Sequence, residues 1–389
     1  MKHTADLVII GGGCMGASSA YHLGRRGITN VVLLERESTL GAGSTGKNAG
    51  GVRHQFSTES NVRLSIESIA LFERFREEIG YEIDFHQDGY LFLISSEHDL
   101  AEFERGVALQ RRLGVPVDVI SPGEASRLAP GLAVDGVIAA TYCGRDGICD
   151  PNGVTMGFAQ AARASGVEIL RETEVTGIKL DYGAVAGVET NRGSIATKCV
   201  INAAGPHAKD IGRMAGVHIP ILPYRRHIFI TAPVVSGVLS RVPTSHLMVI
   251  DFDTSFYFHR EGAGILYGMS DPDEQPGYDL TVNWEFLEKV TPVATRRLPA
   301  LAETSIAHAW AGLYEVTPDA MPIIGPVESV PGFYVIGGFS GHGFQHCPAA
   351  GRILADMIAT SSPPADFDPA PFAFSRFNSA AGLPEYNVV

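Results

Sequence analysis

The sequence predicts an α/β protein built from two interleaved domains, and three observations lead to that prediction. A short apolar run, "LVII", breaks into a glycine-rich turn within residues 7–16. A later apolar run ends in "NAAGP", a second glycine-ended strand that suggests a return to the first sheet. Between this return and the C-terminal part of the chain, residues 220–270 are rich in strand patterns. We therefore expect one domain formed by both ends of the chain and a β-rich domain inserted into it.

The bulk composition narrows the class of protein. The chain has 389 residues, of which 45% are hydrophobic and 19% charged, with a net charge of −13. Acidic and basic residues are interspersed, which argues against a nucleic-acid surface and favours an enzyme acting on a small molecule.

The cysteine pattern and the lengths of the apolar runs indicate in which cellular compartment the protein is expected. Five cysteines without a CxxC pair argue against a disulfide framework, so we expect a reducing environment. The first apolar run is too short for a signal peptide, and no stretch reaches the length of a membrane span. We therefore expect a cytoplasmic protein with no membrane span.

The N-terminal turn has the spacing of a dinucleotide site. Gly11, Gly13 and Gly16 form GxGxxG between a buried strand and a helix expected over residues 14–26. The first glycine permits the tight turn, the second lets the backbone approach a pyrophosphate, and the third lets the helix pack on the strand. The next strand ends in Glu35, whose carboxylate can accept hydrogen bonds from a ribose. The alternative is a chance glycine turn.

A second glycine- and hydroxyl-rich loop, "GAGSTGKNAGG", covers residues 41–51 directly after this unit. A plain dinucleotide domain would begin its next crossover helix here. Additional bare backbone indicates a longer, rigid cofactor, while the alternative is a mobile polar loop.

The remaining elements follow from apolar periodicity and from turn residues. Apolar residues at helical spacing predict a helix that stops at Gly80; they are Val62, Ile66, Ile69, Phe72, Phe75 and Ile79. Further helices are expected over 98–114, 121–130, 281–299 and 348–358, and residues 146–166 lead into another helix that ends at Gly166. Strands are expected over 89–95, 167–170, 173–180, 184–190, 194–205, 225–233, 247–252, 255–261, 264–270 and 332–338.

Six segments, in this order, resemble the FAD-dependent D-amino-acid oxidase superfamily in its sarcosine oxidase branch, including the β subunits of sarcosine oxidase and L-proline dehydrogenase. They are "GGGCMG", "GAGSTGKNAGGVRHQF", "QDGYLFL", "NAAGP", "WAGLYEVTPDAMPIIG" and "GFSGHGF". The resemblance covers almost the whole chain. It implies a discontinuous Rossmann-like FAD-binding domain over 1–85, 145–218 and 310–389. It also implies a substrate-binding domain over 86–144 and 219–309, on a mixed, largely antiparallel sheet.

The resemblance also assigns residues to the substrate and to the cofactor. Arg53 matches a carboxylate-binding arginine, with a structural ion pair as the alternative; Tyr314 and Tyr257 match pocket tyrosines, or are core aromatics. The glycine-rich loop 338–345 would lie along the flavin, and the dipole of the following helix would stabilise the reduced flavin. The FAD-binding positions it implies are Gly11, Gly13, Met15, Gly16, Glu35, Arg36, Gly43, Ser44, Thr45, Lys47, Asn48, Gly50, Gly51, Val175, Ala204, Gly205, Gly312, Gly338, Gly341, His342, Gly343, Phe344 and Gln345.

Four positions depart from the monomeric oxidases or dehydrogenases of this family. Gln345 replaces a lysine that helps to hold the substrate carboxylate. Gly312 and Lys47 replace a cysteine and a histidine that bond the flavin, so we expect non-covalent FAD. Ile265 falls near an oxygen-activating lysine, so we expect slow reaction with oxygen. His342 and His346 stand four residues apart, but no HExxH motif or third ligand supports a metal, so none is expected.

The resemblance implies oxidation of the C–N bond of a small amino acid or secondary amine of the sarcosine, N-substituted glycine, glycine or proline type. Hydride transfer to flavin N5 would carry the electrons. One alternative is a flavoprotein subunit that passes electrons to a partner in a hetero-oligomer, and a homo-oligomer is also open. Another alternative is a nicotinamide-dependent dehydrogenase.

Overall fold

The structure, a computed structural model, describes residues 2–365, 367–378 and 384–388. Its strands are β1 (Leu7–Ile10), β2 (Val31–Leu34), β3 (Gly51–Val52), β4 (Phe85–His86), β5 (Tyr90–Ile94), β6 (Asp118–Ile120), β7 (Ala139–Cys143), β8 (Gly147–Cys149), β9 (Glu168–Leu170), β10 (Val175–Asp181), β11 (Ala184–Thr190), β12 (Gly193–Ala196), β13 (Val200–Asn202), β14 (Leu222–Thr231), β15 (Met248–Asp251), β16 (Phe256–Glu261), β17 (Gly264–Met269), β18 (Ile306–Val316), β19 (Ile323–Pro326) and β20 (Phe333–Gly337).

The helices alternate with these strands along most of the chain. They are α1 (Cys14–Arg25), α2 (Glu59–Glu73), α3 (Phe75–Ile79), α4 (Glu97–Arg112), α5 (Pro122–Leu128), α6 (Pro151–Ala164), α7 (Ala208–Met214), α8 (Ser236–Leu239), α9 (Trp284–Arg297) and α10 (Gly343–Thr360). No described helix is both long enough and apolar enough to cross a lipid bilayer.

A six-stranded sheet forms the first layer, in the order β19-β20-β13-β1-β2-β9. Its four pairings from β20 to β9 are parallel, and β19 adds an antiparallel edge. The central strands β1 and β2 are buried along their whole length, as parallel strands covered on both faces must be. Helices α1, α6 and α10 pack together on one side of this sheet, so the N-terminal unit and the C-terminal helix share one core.

An eight-stranded sheet forms the second layer, in the order β18-β14-β17-β16-β15-β5-β7-β6. All of its pairings are antiparallel except that between β15 and β5. One face is apolar and packs against helix α9, through residues such as Phe258, Ile265, Tyr267 and Phe286. The mixed α/β class, with a mixed and largely antiparallel second sheet, is thereby confirmed.

Three local features differ from the sequence prediction. The single helix expected before Gly80 is interrupted at Arg74, which separates α2 from α3. Helix α10 begins at Gly343, five residues before the expected start, because Pro348 is tolerated inside it. The boundary predicted at residue 310 falls within β18, which continues in the eight-stranded sheet to Val316. The domain division remains a prediction, and a few positions of its outer segments lie outside the described residues.

Candidate active site

A cavity of about 530 Å³ lies where the carboxyl ends of the first sheet meet one face of the second. Its lining comes from the β1–α1 turn, the end of β2, the loop after β2, the residues after β13, strands β14, β16 and β18, and the start of α10. The carboxyl edge of a parallel sheet is where such folds bind nucleotides. The volume is within the range of sites that enclose a large ligand.

The β1–α1 turn brings bare backbone to this cavity. Gly11 has φ +111°, and a Cβ there would collide with the carbonyl oxygen of Ala203. A Cβ at Gly16 would collide with the carbonyl oxygen of Gly11, so the third glycine lets α1 lie against the turn. Residues 13–15 at the start of α1 line the cavity, an arrangement that suits a pyrophosphate.

Glu35 is held at the end of β2 by main-chain donors. Its Oε2 accepts from the N–H of Gly12 at 2.8 Å and its Oε1 from the N–H of Glu37 at 2.9 Å. These two contacts fix the carboxylate at the wall of the cavity, where its remaining lone pairs can accept from the hydroxyl groups of a ribose.

The loop after β2 is ordered by its own polar side chains and by β18. Ser44 Oγ donates to the carbonyl of Leu313 at 2.6 Å, and Trp310 Nε1 donates to the carbonyl of Lys47 at 2.9 Å. Asn48 closes a turn by donating to the carbonyl of Thr45 and accepting from the N–H of Gly50. A mobile polar loop, the alternative left open by the sequence, is therefore not what the structure shows.

A second cavity, of about 70 Å³, adjoins the first and shares some of its lining, including Tyr257, Tyr314 and Gly341. Arg53, Tyr90 and further residues complete its wall. Burial raises the pKa of Tyr90, Tyr257 and Tyr314, so all three hydroxyl groups stay protonated near neutral pH and can donate hydrogen bonds.

Arg53 brings a positive charge to the small cavity, and its side chain is buried, with 5% of the residue exposed. Its guanidinium lies 3.8 Å over the ring centroid of Phe56, Nη1 donates to the carbonyl of Gln55, and Nη2 donates to the carbonyl of Asn387 at 2.5 Å. Within residues 2–365, 367–378 and 384–388, no carboxylate lies within ion-pair distance of it. A buried cation without a counter-ion is costly, and an anionic ligand would remove that cost.

Gln345 joins the strand of Arg53 to the start of α10. Its Oε1 accepts from the N–H of Arg53 at 2.8 Å, and its Nε2 lies 3.2 Å from Nε2 of His346. The side chain is therefore engaged in holding the wall together, although it lines the small cavity as predicted.

His342 also lines the small cavity, and neither ring nitrogen has a partner among the described residues. Burial and the nearby charge of Arg53 lower the pKa of His342 to about 3. The ring is therefore neutral at physiological pH and keeps one donor and one acceptor for a ligand.

Most positions assigned to FAD from the sequence lie on the large cavity. They are Gly11, Gly13, Met15, Glu35, Arg36, Gly43, Ser44, Thr45, Lys47, Asn48, Val175, Ala204, Gly205, Gly312, Gly341, Gly343 and Phe344. The small cavity receives Gly51, His342 and Gln345 from that set, together with the substrate candidates Arg53, Tyr257 and Tyr314.

Three of the predicted cofactor residues line neither cavity: Gly16, Gly50 and Gly338. A Cβ at Gly50 would press on the carbonyl oxygen of Cys149, and one at Gly338 on the side chain of Thr317. These glycines shape the backbone behind the cavity walls, and their prediction as direct contacts is not supported.

The placement of Ile265 near the flavin is wrong. Strand β17 alternates, so Ile265 points into the apolar core on the far face, whereas Gly268 lies beside Tyr257 and Ile228 on the cavity face. A side chain at Gly268 would collide with the hydroxyl of Tyr257. Strand β17 therefore presents no cation to the cavity. The reason is that Gly268 occupies the cavity face, and not that Ile265 replaces a lysine there.

Sequence reasoning missed several charged residues of the large cavity, among them Arg226 and Glu315. Arg226 of β14 pairs in register with Gly312 and lies 5.2 Å from the ring centroid of Tyr314. Glu315 has a buried Oε2 without a partner among the described residues, and burial raises its pKa to about 7. Glu315 belongs to the quoted segment "WAGLYEVTPDAMPIIG", where an acidic residue next to Tyr314 was the available signal.

Comparison with known proteins agrees with this geometry. The DAO family model, described as FAD dependent oxidoreductase, matches residues 6–357. The structure is similar to L-proline dehydrogenase from P. horikoshii, with a TM-score of 0.89 and 36% identity over 97% of this chain and 99% of that one. The sequence is 28% identical to sarcosine oxidase subunit beta of Rhodobacter capsulatus, over 99% of this chain and 91% of that protein.

A longer relative is also similar. The chain is 32% identical to mitochondrial dimethylglycine dehydrogenase of Rattus norvegicus over 94% of its own length and 44% of that protein. This chain therefore spans less than half the length of the first curated relatives that it matches.

Replacing Glu315 by glutamine is expected to remove a pH dependence of stability. Because its pKa is raised from 4.5 to about 7, the protonated carboxyl group stabilises the fold at low pH, and this contribution is lost as the pH rises through 7. The full shift corresponds to roughly 3 kcal/mol in the free energy of unfolding. Denaturant unfolding of the cofactor-free protein at about pH 4, below the unfolded pKa, and at about pH 8, above the folded one, measures it.

Glu174→Gln is the matched control, since Glu174 lines the same cavity but is exposed. It should lose stability with rising pH just as the wild type does. An equal loss in Glu315→Gln would contradict the assignment of this titration to Glu315.

Proposed function

This chain belongs to the DAO family of FAD-dependent oxidoreductases and has FAD as its cofactor, and we propose that it oxidises the C–N bond of a small amino acid or secondary amine. The substrate class in mind is sarcosine, another N-substituted glycine, glycine or proline. The observation that carries the proposal is Arg53, a buried cation in a small aromatic cavity that adjoins the cofactor cavity.

The large cavity fits FAD by its own chemistry. Gly11 and the N-terminus of α1 offer bare backbone for a pyrophosphate, and Glu35 offers acceptors for a ribose. Glu315 adds a buried oxygen without a partner among the described residues, which a cofactor hydroxyl or amide can satisfy.

Substrate binding would depend on Arg53. A guanidinium has five N–H donors, and the two carbonyls that Arg53 contacts leave donors for a carboxylate. Tyr90, Tyr257 and Tyr314 give an apolar wall with hydroxyl tips. The neutral ring of His342 can accept a hydrogen bond from the substrate amine, which must be uncharged when its electrons leave.

Bound FAD supplies a two-electron acceptor, which takes a hydride equivalent from the carbon beside nitrogen while a C=N bond forms. The protein's part in this reaction is to position the substrate and exclude water. The start of α10, which lines the large cavity at Gly343 and Phe344, can stabilise negative charge that develops beside it.

A second candidate is a flavoprotein subunit that passes electrons to a partner, favoured by the similarity to a protein described as a subunit beta. An anaerobic screen of amino acids for bleaching of the flavin spectrum separates the two. Bleaching of the isolated chain by sarcosine, glycine or proline supports the first proposal. Bleaching that requires an added partner supports the second, and absence of bleaching by any amino acid contradicts the first.

Arg53→Lys is expected to weaken substrate binding, because lysine keeps the charge but loses the planar fork. Arg53→Ala should weaken it further, by roughly 2–5 kcal/mol for a charge-assisted pair in a desolvated site. Anaerobic flavin reduction at increasing substrate concentration measures this. The exposed Arg145→Ala serves as control, and reduction of Arg53→Ala at the wild-type rate would show that the assignment is wrong.

Non-covalent FAD is expected because Gly312 and Lys47, at the two positions where relatives are expected to carry a flavin link, offer no suitable nucleophile. Denaturation followed by centrifugation should leave all yellow colour in the supernatant, with the mass of FAD. Flavin that remains with the precipitated chain would refute the expectation.

Reduced flavin is expected to react slowly with oxygen, since β17 presents Gly268 and no cation to the cavity. A positive charge assists the first electron transfer to oxygen because superoxide is an anion. Substrate-reduced protein mixed with air-saturated buffer should reoxidise more slowly than substrate reduces it, and an artificial acceptor should restore fast reoxidation. Arg226→Gln removes a cation that lines the cavity and should slow the air reaction further. Reoxidation faster than reduction would make the chain an oxidase.

A further inference from the structure

Residues 384–388, "PEYNV", contact the small cavity from a part of the chain that lies beyond the family match. That match ends at residue 357, and no residue of this segment was selected from the sequence. Val388 nevertheless lines the small cavity together with Arg53 and the three tyrosines. We call residues 384–388 the wall segment.

Glu385 docks the wall segment on the start of helix α2. It is 5% exposed, and its Oε1 accepts from the N–H and the hydroxyl of Ser57, each at 2.7 Å. Its Oε2 accepts from the hydroxyl of Thr58 at 2.7 Å and from Nδ2 of Asn61 at 2.9 Å. Burial disfavours the charged form, but these hydrogen bonds outweigh it and hold the pKa of Glu385 below its ordinary value.

Tyr386 provides a second contact away from the cavity. Its hydroxyl donates to Oδ1 of Asp99 at 2.5 Å, and its ring lies 5.6 Å from the ring of Phe252. The main-chain N–H donates to Ser57 Oγ at 2.9 Å. The wall segment is thus held by the two residues that directly precede Asn387, the residue that reaches Arg53.

Asn387 connects the wall segment to the substrate-binding charge. It is 1% exposed, and its carbonyl oxygen accepts from Nη2 of Arg53 at 2.5 Å. Its Nδ2 donates to the carbonyl of Gln55, the same carbonyl that receives Nη1 of Arg53. Two carbonyls therefore orient one edge of the guanidinium, and one of them belongs to the wall segment.

We propose that the wall segment determines which substrates this site accepts: Asn387 positions Arg53, and Val388 limits the size of the group beside it. The inference rests on the proposed function and specifies its substrate class. A cavity of about 70 Å³ holds on the order of five water-sized spheres, which suits a substrate of glycine or sarcosine size. With Val388 in place, amino acids with a bulky side chain or a large N-substituent are excluded.

The test uses the FAD-loaded protein and unreactive carboxylates of increasing size: acetate, propionate, isobutyrate and benzoate. Each is titrated against the visible spectrum of the bound flavin, so no turnover is needed. In the wild type, affinity should fall from acetate to benzoate. Val388→Gly should improve binding of benzoate relative to acetate by roughly tenfold or more, and Val388→Phe should weaken propionate and larger ligands.

Glu385→Gln tests the positioning of Arg53. Loss of the docking charge should weaken all four carboxylates by a similar factor, since each depends on the same guanidinium. Glu59→Gln is the matched control, because Glu59 begins the helix on which Glu385 docks but is exposed and pairs with Arg63 rather than with the wall segment. It should leave all four affinities unchanged, and FAD content should be equal in all variants.

The outcomes separate the two levels of the proposal. If the wild type binds no carboxylate and no amino acid bleaches it, the proposed function is overturned, and this inference falls with it. If the wild type binds carboxylates but both Val388 variants keep its order of affinities, the proposed function stands and the role of the wall segment is overturned.

Discussion

The buried positive charge of Arg53 is the constraint around which the substrate side of this protein is arranged. A guanidinium removed from water needs compensation, and the described chain gives it two carbonyls and an aromatic face but no carboxylate. Gln345 fixes the main chain of Arg53 to helix α10, which also borders the cofactor cavity. One hydrogen bond thus couples the position of Arg53 to the helix that borders the cofactor cavity.

The fold could be predicted from sequence where a short pattern has only one good structural solution. GxGxxG between "LVII" and a helix predicted the β1–α1–β2 unit, and "NAAGP" predicted the return to that sheet as β13. The prediction is less reliable where a sequence pattern is compatible with two structures. The resemblance matched Ile265 to an oxygen-activating lysine across one short strand, but Ile265 packs in the core. A shift of one residue along a strand reverses the face, so a match over so few residues does not fix which side chain reaches the cavity. Pro348 suggested a later helix start than Gly343.

The site could be predicted where it consists of contiguous motifs, and it was incomplete where side chains meet from distant strands. The loop that holds Lys47 and the glycine-rich loop 338–345 could be predicted because each is a single stretch of sequence. Arg226 reaches the cavity only through its register with Gly312, which depends on the pairing of β14 with β18. Glu315 is adjacent to Tyr314 on β18, and both residues line the large cavity. Burial raises the pKa of Glu315, and the sequence alone does not show that this residue is buried.

The location of the wall segment has an evolutionary consequence. The nucleotide turn, the flavin loop and Arg53 all lie within residues 6–357, which the family shares, whereas Val388 and Asn387 lie after them. Substitutions at Val388 can therefore alter the substrate range while the residues that line the cofactor cavity stay unchanged. Two copies of such a gene can therefore diverge in the substrates that their proteins accept, while both proteins still bind and reduce the cofactor.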